Sequence, residues 1–135
     1  MIKNKQSFQK ILAGAFDNLT NGNLEAAAAA FKLVLDQNPD HLDALHGLAL
    51  TKFHNQQFES AKSFVLRALS QDPLNASFLT TLGTITQHLS DYEFAIQCFK
   101  STLAINPENR NLRAEYILLL KSLGRNEDAQ DWNGW

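Results

Sequence analysis

One cysteine, one methionine, three prolines and six glycines in 135 residues withhold the raw material of several kinds of protein. A single cysteine, Cys98, excludes an internal disulfide, and its place beside Phe99 in a helical pattern fits a small apolar filler better than a reactive thiol. With so few glycines there is no phosphate-cradling loop and no nucleophile elbow, and no two histidines share one helix at metal-ligand spacing. Charge is also scarce: the net value of −2 gives no electrostatic footprint for nucleic acid, and Lys3, Lys5 and Lys10 fit the solvated start of a first helix. No apolar run approaches the roughly 20 residues of a membrane-spanning helix. The stretch 11–16 is shorter than the about 7 to 15 residues of a signal-peptide centre. The expectation is a cytoplasmic protein with no catalytic residues, no cofactor, no metal, and neither nucleic acid nor membrane as partner.

What the chain does have is a period. Its only prolines, Pro39, Pro73 and Pro107, lie 34 residues apart, and Asn38, Asp72 and Asn106 precede them. Ala27, Ala61, Ala95 and Ala129 keep the same step, as do Leu35, Leu69 and Leu103 and the large apolar residues Leu24, Phe58 and Tyr92. Several series locked to one interval require one copied supersecondary unit. Between prolines the apolar residues fall at helical spacing, as in Leu42, Leu45, Leu48 and Ala49, then Phe58, Ala61, Val65, Ala68 and Leu69.

Each unit is therefore two helices. Polar stretches at 20–23, 55–57, 89–91 and 124–126 divide them, with Gly22 and Gly124 suited to a tight helix end. Each proline marks where a second helix stops, and Ser7, Asn75 and Asn109 stand where a side-chain oxygen can cap the next one. Ala15, Ala49 and Gly83 on first helices, with Ala27, Ala61 and Ala95 on second, remove bulk where two axes approach to about 8 to 10 Å.

Leu82 and Gly83, then Tyr92, Ala95, Phe99 and Pro107, closely resemble the tetratricopeptide repeat pattern. The first unit keeps Ala15, Gly22, Ala27 and Phe31 but has Gly14 where that family usually has leucine; the second has Val65 where Phe31 and Phe99 stand in its neighbours. The resemblance implies an all-α fold, a right-handed α-solenoid of antiparallel helix pairs. It divides a single domain, 1–135, into repeats at about 8–41, 42–75 and 76–109, a partial repeat at 110–131 and a tail at 132–135.

The same resemblance implies a concave wall made by the first helices, and hence a partner protein or peptide. The expected groove residues are Leu12, Phe16, Asp43, His46, Leu50, Phe53, His54, Thr80, Thr81, Thr84 and His88, with the wall continuing onto Gln87, Asn111, Ala114, Glu115 and Leu118. One branch of the family grips acidic carboxyl-terminal tails with cationic side chains. At the matching places this chain has Leu12, Phe16, Gly47, Ser77 and Thr81, none positively charged, so that clamp is not expected.

The wall instead grades from apolar (Leu12, Phe16, Leu50, Phe53) to hydroxyl and imidazole (Thr80, Thr81, Thr84, His88), which suits a segment with one or two bulky apolar anchors. The competing reading is that Phe16 and Phe53 pack against the neighbouring repeat. His54 and His88 hold equivalent places, but two imidazoles fall short of a metal site, and His41 and His46 belong to a different turn.

The fourth unit carries Tyr116, Ile117, Leu118, Leu119 and Leu120 with only a stub of second helix to cover them. Either Trp132 and Trp135 fold back as a cap, or the incomplete repeat forms a homodimer or contacts another protein. The alternative to a free adaptor is the accessory tetratricopeptide domain of a larger bacterial enzyme such as a glycosyltransferase.

Overall fold

The computed structural model describes residues 5–133, of which 7–132 with their side chains. Within that span the chain is all-α, with eight helices in order: α1 (Lys5–Thr20), α2 (Leu24–Gln37), α3 (Leu42–His54), α4 (Phe58–Gln71), α5 (Ala76–His88), α6 (Tyr92–Ile105), α7 (Arg110–Ser122) and α8 (Asn126–Asn133). Three-residue turns close the hairpins α1–α2, α3–α4, α5–α6 and α7–α8, and each hairpin stacks on the next through α2 on α3, α4 on α5 and α6 on α7. The result is a tetratricopeptide-type solenoid.

The period fixes backbone geometry as well as composition. Within each hairpin one residue turns left-handed: Gly22 (φ 81°), Gln56 (φ 61°), Ser90 (φ 62°) and Gly124 (φ 76°). The amide after it reaches back five residues, as in Asn23 to the Asn18 carbonyl and Gln57 to the Lys52 carbonyl, which satisfies carbonyls that the helix end would orphan. Glycine marks the first and last of these turns in the sequence; Gln56 and Ser90 adopt the same geometry without that signal.

Between hairpins a second device repeats. The amides of His41, Asn75 and Asn109 donate to the carbonyls of Asn38, Asp72 and Asn106. These are β-turns with proline in their second position, where its fixed φ is already correct. Asn75 and Asn109 then cap α5 and α7, accepting from the Phe78 and Leu112 amides at 3.0 and 3.1 Å. His41 takes that role for α3, its Nδ1 accepting from the Ala44 amide at 3.3 Å. Ser7 does not stand ahead of a helix as expected, because α1 is already helical at Lys5.

Small residues sit where helices close. Ala15, Ala27, Ala49, Ala61 and Ala95 are all fully buried. The two phenylalanines at equivalent places use different notches. A Cβ added to Gly83 would lie 2.6 Å from Cε1 of Phe99 in the same hairpin, whereas a Cβ added to Gly47 would overlap the Phe31 ring, which belongs to the preceding hairpin. Val65, the third member of that series, has Ala49 in its own hairpin and Thr81 in the next at those two places, so neither glycine notch is available to it. The smaller side chain that departs from the family pattern fits this surrounding.

Candidate protein-interaction wall

Positions four apart on a helix share a face, so the first helices present their residues in rows. One row runs Leu12, His46, Thr80, Ala114; the next Phe16, Leu50, Thr84, Leu118; a third ends His54, His88, Ser122. How much each side chain offers to solvent differs along the array.

At the α1 end the apolar side chains are committed to packing. Leu12 is 7% exposed and belongs to the core of the first hairpin. Phe16 is half-buried and turns its ring edge-on to Phe31, with centroids 4.9 Å apart. Phe53 is half-buried against the second core cluster, its ring 5.5 Å from Phe58, 5.4 Å from His54 and 4.9 Å from His88. Leu50 is half-buried and Asp43 and His54 are exposed.

Polar residues also bridge neighbouring first helices. His46 Nε2 lies 2.8 Å from the Thr81 hydroxyl, and its ring sits 4.9 Å from Phe78. Burial holds the His46 pKa below its ordinary value, with the Asp43 carboxylate pulling the other way. His88 rests against both Phe53 and Phe58, the latter at 5.0 Å, while its Nδ1 lies 2.9 Å from the Thr84 carbonyl. A carbonyl only accepts, so Nδ1 carries the hydrogen. Thr80 and Thr84 donate their hydroxyls to carbonyls one turn earlier, those of Ala76 and Thr80.

The wall opens toward the C-terminus. α1 touches α3 and α3 touches α5, but α5 and α7 stand apart. Between them lies a cleft of about 660 Å³, lined on one side by Thr84, Gln87 and His88 and on the other by Glu115, Leu119 and Ser122, with Tyr92 and Leu123 completing the lining. Of the expected groove residues only Thr84 and His88 line it. Tyr92, Leu119, Ser122 and Leu123 were not foreseen, since helical periodicity assigns residues to faces but does not say which neighbouring helices separate.

The last hairpin is closed at its far side. Trp132 stands edge-on to Tyr116 at 5.2 Å, and Tyr116, Leu119 and Leu120 are buried with Ala129. Leu118 remains 67% exposed on the wall. Arg125 ties this hairpin to the third, bonding Glu93 at 2.9 Å and Asp128 at 3.0 Å. Trp135 lies outside the described residues. Cys98 is 4% exposed, and burial first, then the Asp91 charge, pushes its pKa up to about 11. Such a thiol is a packing group at neutral pH. Among the described residues no three histidine, cysteine or acidic side chains converge as metal ligands, and no helix is long and apolar enough to cross a membrane.

Helix pairs recurring at a constant interval, with small residues at their crossings and a proline after each second helix, define a helical-repeat protein. The tetratricopeptide repeat model matches residues 18–83, and the chain belongs to that family. It is 33% identical over 92 residues to the Protein CTR9 homolog of Arabidopsis thaliana, a match that takes in 67% of this chain and only 8% of that protein. The crystal structure of MamA superposes with a TM-score of 0.85 at 17% identity, over 93% of this chain and 73% of that one. An O-GlcNAc transferase from Thermobaculum terrenum superposes with a TM-score of 0.80 at 23% identity, over 88% of this chain and 23% of the enzyme. These structural likenesses share the fold. Tetratricopeptide domains in general mediate protein–protein interaction.

Proposed function

We infer that this chain is a non-enzymatic interaction module that receives a peptide segment of a partner protein along its first-helix wall, and that the segment anchors in the cleft between α5 and α7. The observation that carries this reading is the cleft itself, which opens on the wall and is lined by residues from both first helices. Thr80, Thr81, Leu50 and Asp43 continue the surface toward the N-terminus, while the rings of Phe16 and Phe53 support it from beneath. Leu118, the most exposed apolar residue of the row that holds Phe16, Leu50 and Thr84, supplies contact area on α7. Apolar surface removed from water there contributes about 25 cal/mol per Å². The positions that would pair an acidic terminus hold Leu12, Phe16, Gly47, Ser77 and Thr81, which argues against a carboxylate clamp. Trp132 against Tyr116 favours a capped array over self-association.

The test is an affinity pull-down from the native cell, read by mass spectrometry, repeated with a Thr84→Arg, Leu118→Glu double variant whose helicity is checked by circular dichroism. Tenfold or greater loss of the recovered partner is expected. Unchanged affinity in a folded variant removes the wall from consideration.

The transferase likeness favours a second reading, in which the module is the accessory part of a larger enzyme. Sequencing the gene beyond the codon for Trp135 separates the two: a catalytic domain in the same frame supports the second.

A further inference from the structure

We propose that the α5–α7 cleft selects a basic side chain, arginine above lysine, from the segment that the wall receives. This deepens the interaction reading and rests on it.

The hydroxyls lining the cleft spend their hydrogens on their own helices: Thr84 donates to the Thr80 carbonyl at 3.1 Å and Ser122 to the Leu119 carbonyl at 2.7 Å. What they leave to a guest is lone pairs. His88 behaves alike. With its Nδ1 hydrogen directed to the Thr84 carbonyl, the neutral ring keeps an acceptor at Nε2. Glu115 adds a carboxylate, exposed and forming no ion pair with another described residue. No lysine or arginine lines the cleft. The nearest guanidinium on the turn after α7, that of Arg125, is held by Glu93 and Asp128.

Gln87 brings donors and an acceptor alike, so a guest in this cleft meets one negative charge and, from the hydroxyls and His88, a surplus of acceptors. A guanidinium brings five donors in a planar fork and no acceptor, which matches several separated lone pairs better than the compact ammonium of lysine. Leu119 and Leu123 add apolar lining against which its methylene stem can lie, and Tyr92 adds an aromatic ring to the same lining. An acidic guest would instead meet the Glu115 charge, with the Gln87 amide as its side-chain donor.

The test uses blocked seven-residue peptides with leucines flanking a central arginine, lysine or citrulline, titrated into the isotope-labelled full chain and followed by amide chemical shifts. Citrulline keeps the shape of arginine and removes its charge. We expect shifts at Thr84, Ser122 and Leu123, with the arginine peptide about fivefold tighter than citrulline, and the preference lost in Glu115→Gln, whose exposed side chain the fold does not need. Equal affinity for arginine and citrulline at those resonances overturns the basic preference while leaving the wall intact. Shifts confined to other surfaces, or none at all, overturn the preference and the wall together.

Discussion

The two halves of the wall are built from the same repeat positions, yet one is sealed and the other open. Between α3 and α5 the Phe53 and His88 rings meet at 4.9 Å and His46 reaches Thr81 at 2.8 Å. One repeat later the places of Phe53 and His88 hold Gln87 and Ser122, those of His46 and Thr81 hold Thr80 and Glu115, and α5 and α7 separate. The helices and their crossings are shared; what differs is whether aromatic and imidazole side chains bridge one first helix to the next. In a solenoid each unit contacts only its neighbours, so a junction that lacks the bridging side chains can stay open without disturbing the rest.

The largest test of this comparison is Gly47→Val against Glu115→Val. The first places branched carbons on the Phe31 ring and should cost about 3 kcal/mol in chemical denaturation; the second, at the same repeat position in the open half, should change stability by less than about 0.5 kcal/mol. Equal effects would mean that the halves are not differently packed.

Phe53→Ala against Lys121→Ala comes next. Truncating the half-buried ring should cost about 2 kcal/mol, below the 3 to 5 typical of a fully buried phenylalanine, and Lys121→Ala close to nothing. Smaller still is a pH effect confined to the sealed half. Because burial lowers the His46 pKa in the folded chain, folding is unhindered while both states hold the ring neutral. Stability then falls as pH drops below the ordinary imidazole value of about 6.5 toward the lowered folded one, since the unfolded chain takes up the proton first. His46→Gln should flatten that part of the thermal-stability profile, and an unaltered profile would assign it to another group.

The smallest expected change sharpens the shared part of the comparison, the turns. Ser90→Gly removes the left-handed cost at φ 62° and should stabilise by about 0.5 kcal/mol after its own entropy is counted. The same exchange at the helical Ser77 should destabilise by a similar amount.

Much of the array was legible before any coordinates. The prolines located the hairpin junctions, and Asn75 and Asn109 located two caps, because those roles are set by the residue's own backbone and side-chain chemistry. The His41 cap was not legible, since imidazole is not a usual capping group. Nor were the left-handed Gln56 and Ser90, which carry no glycine signal and are carried into that geometry by their place in the repeat. For the wall, sequence put Thr84 and His88 on the face where the structure has a cleft, but gave Leu12 a surface role that its burial leaves little room for. A side chain on the inner face of one helix is exposed or covered according to what the next helix sets beside it.

By itself, then, the sequence determined what depends on the interval: the number of helices, where the chain turns between them, and which of their faces are apolar. Only the tertiary structure decided which of those faces remain open. That depends on contacts between neighbouring hairpins, where Phe53 meets His88 and Phe31 meets Gly47 in one half and no ring pair joins α5 to α7 in the other. A period records that such positions are equivalent; it does not record how two particular side chains fit.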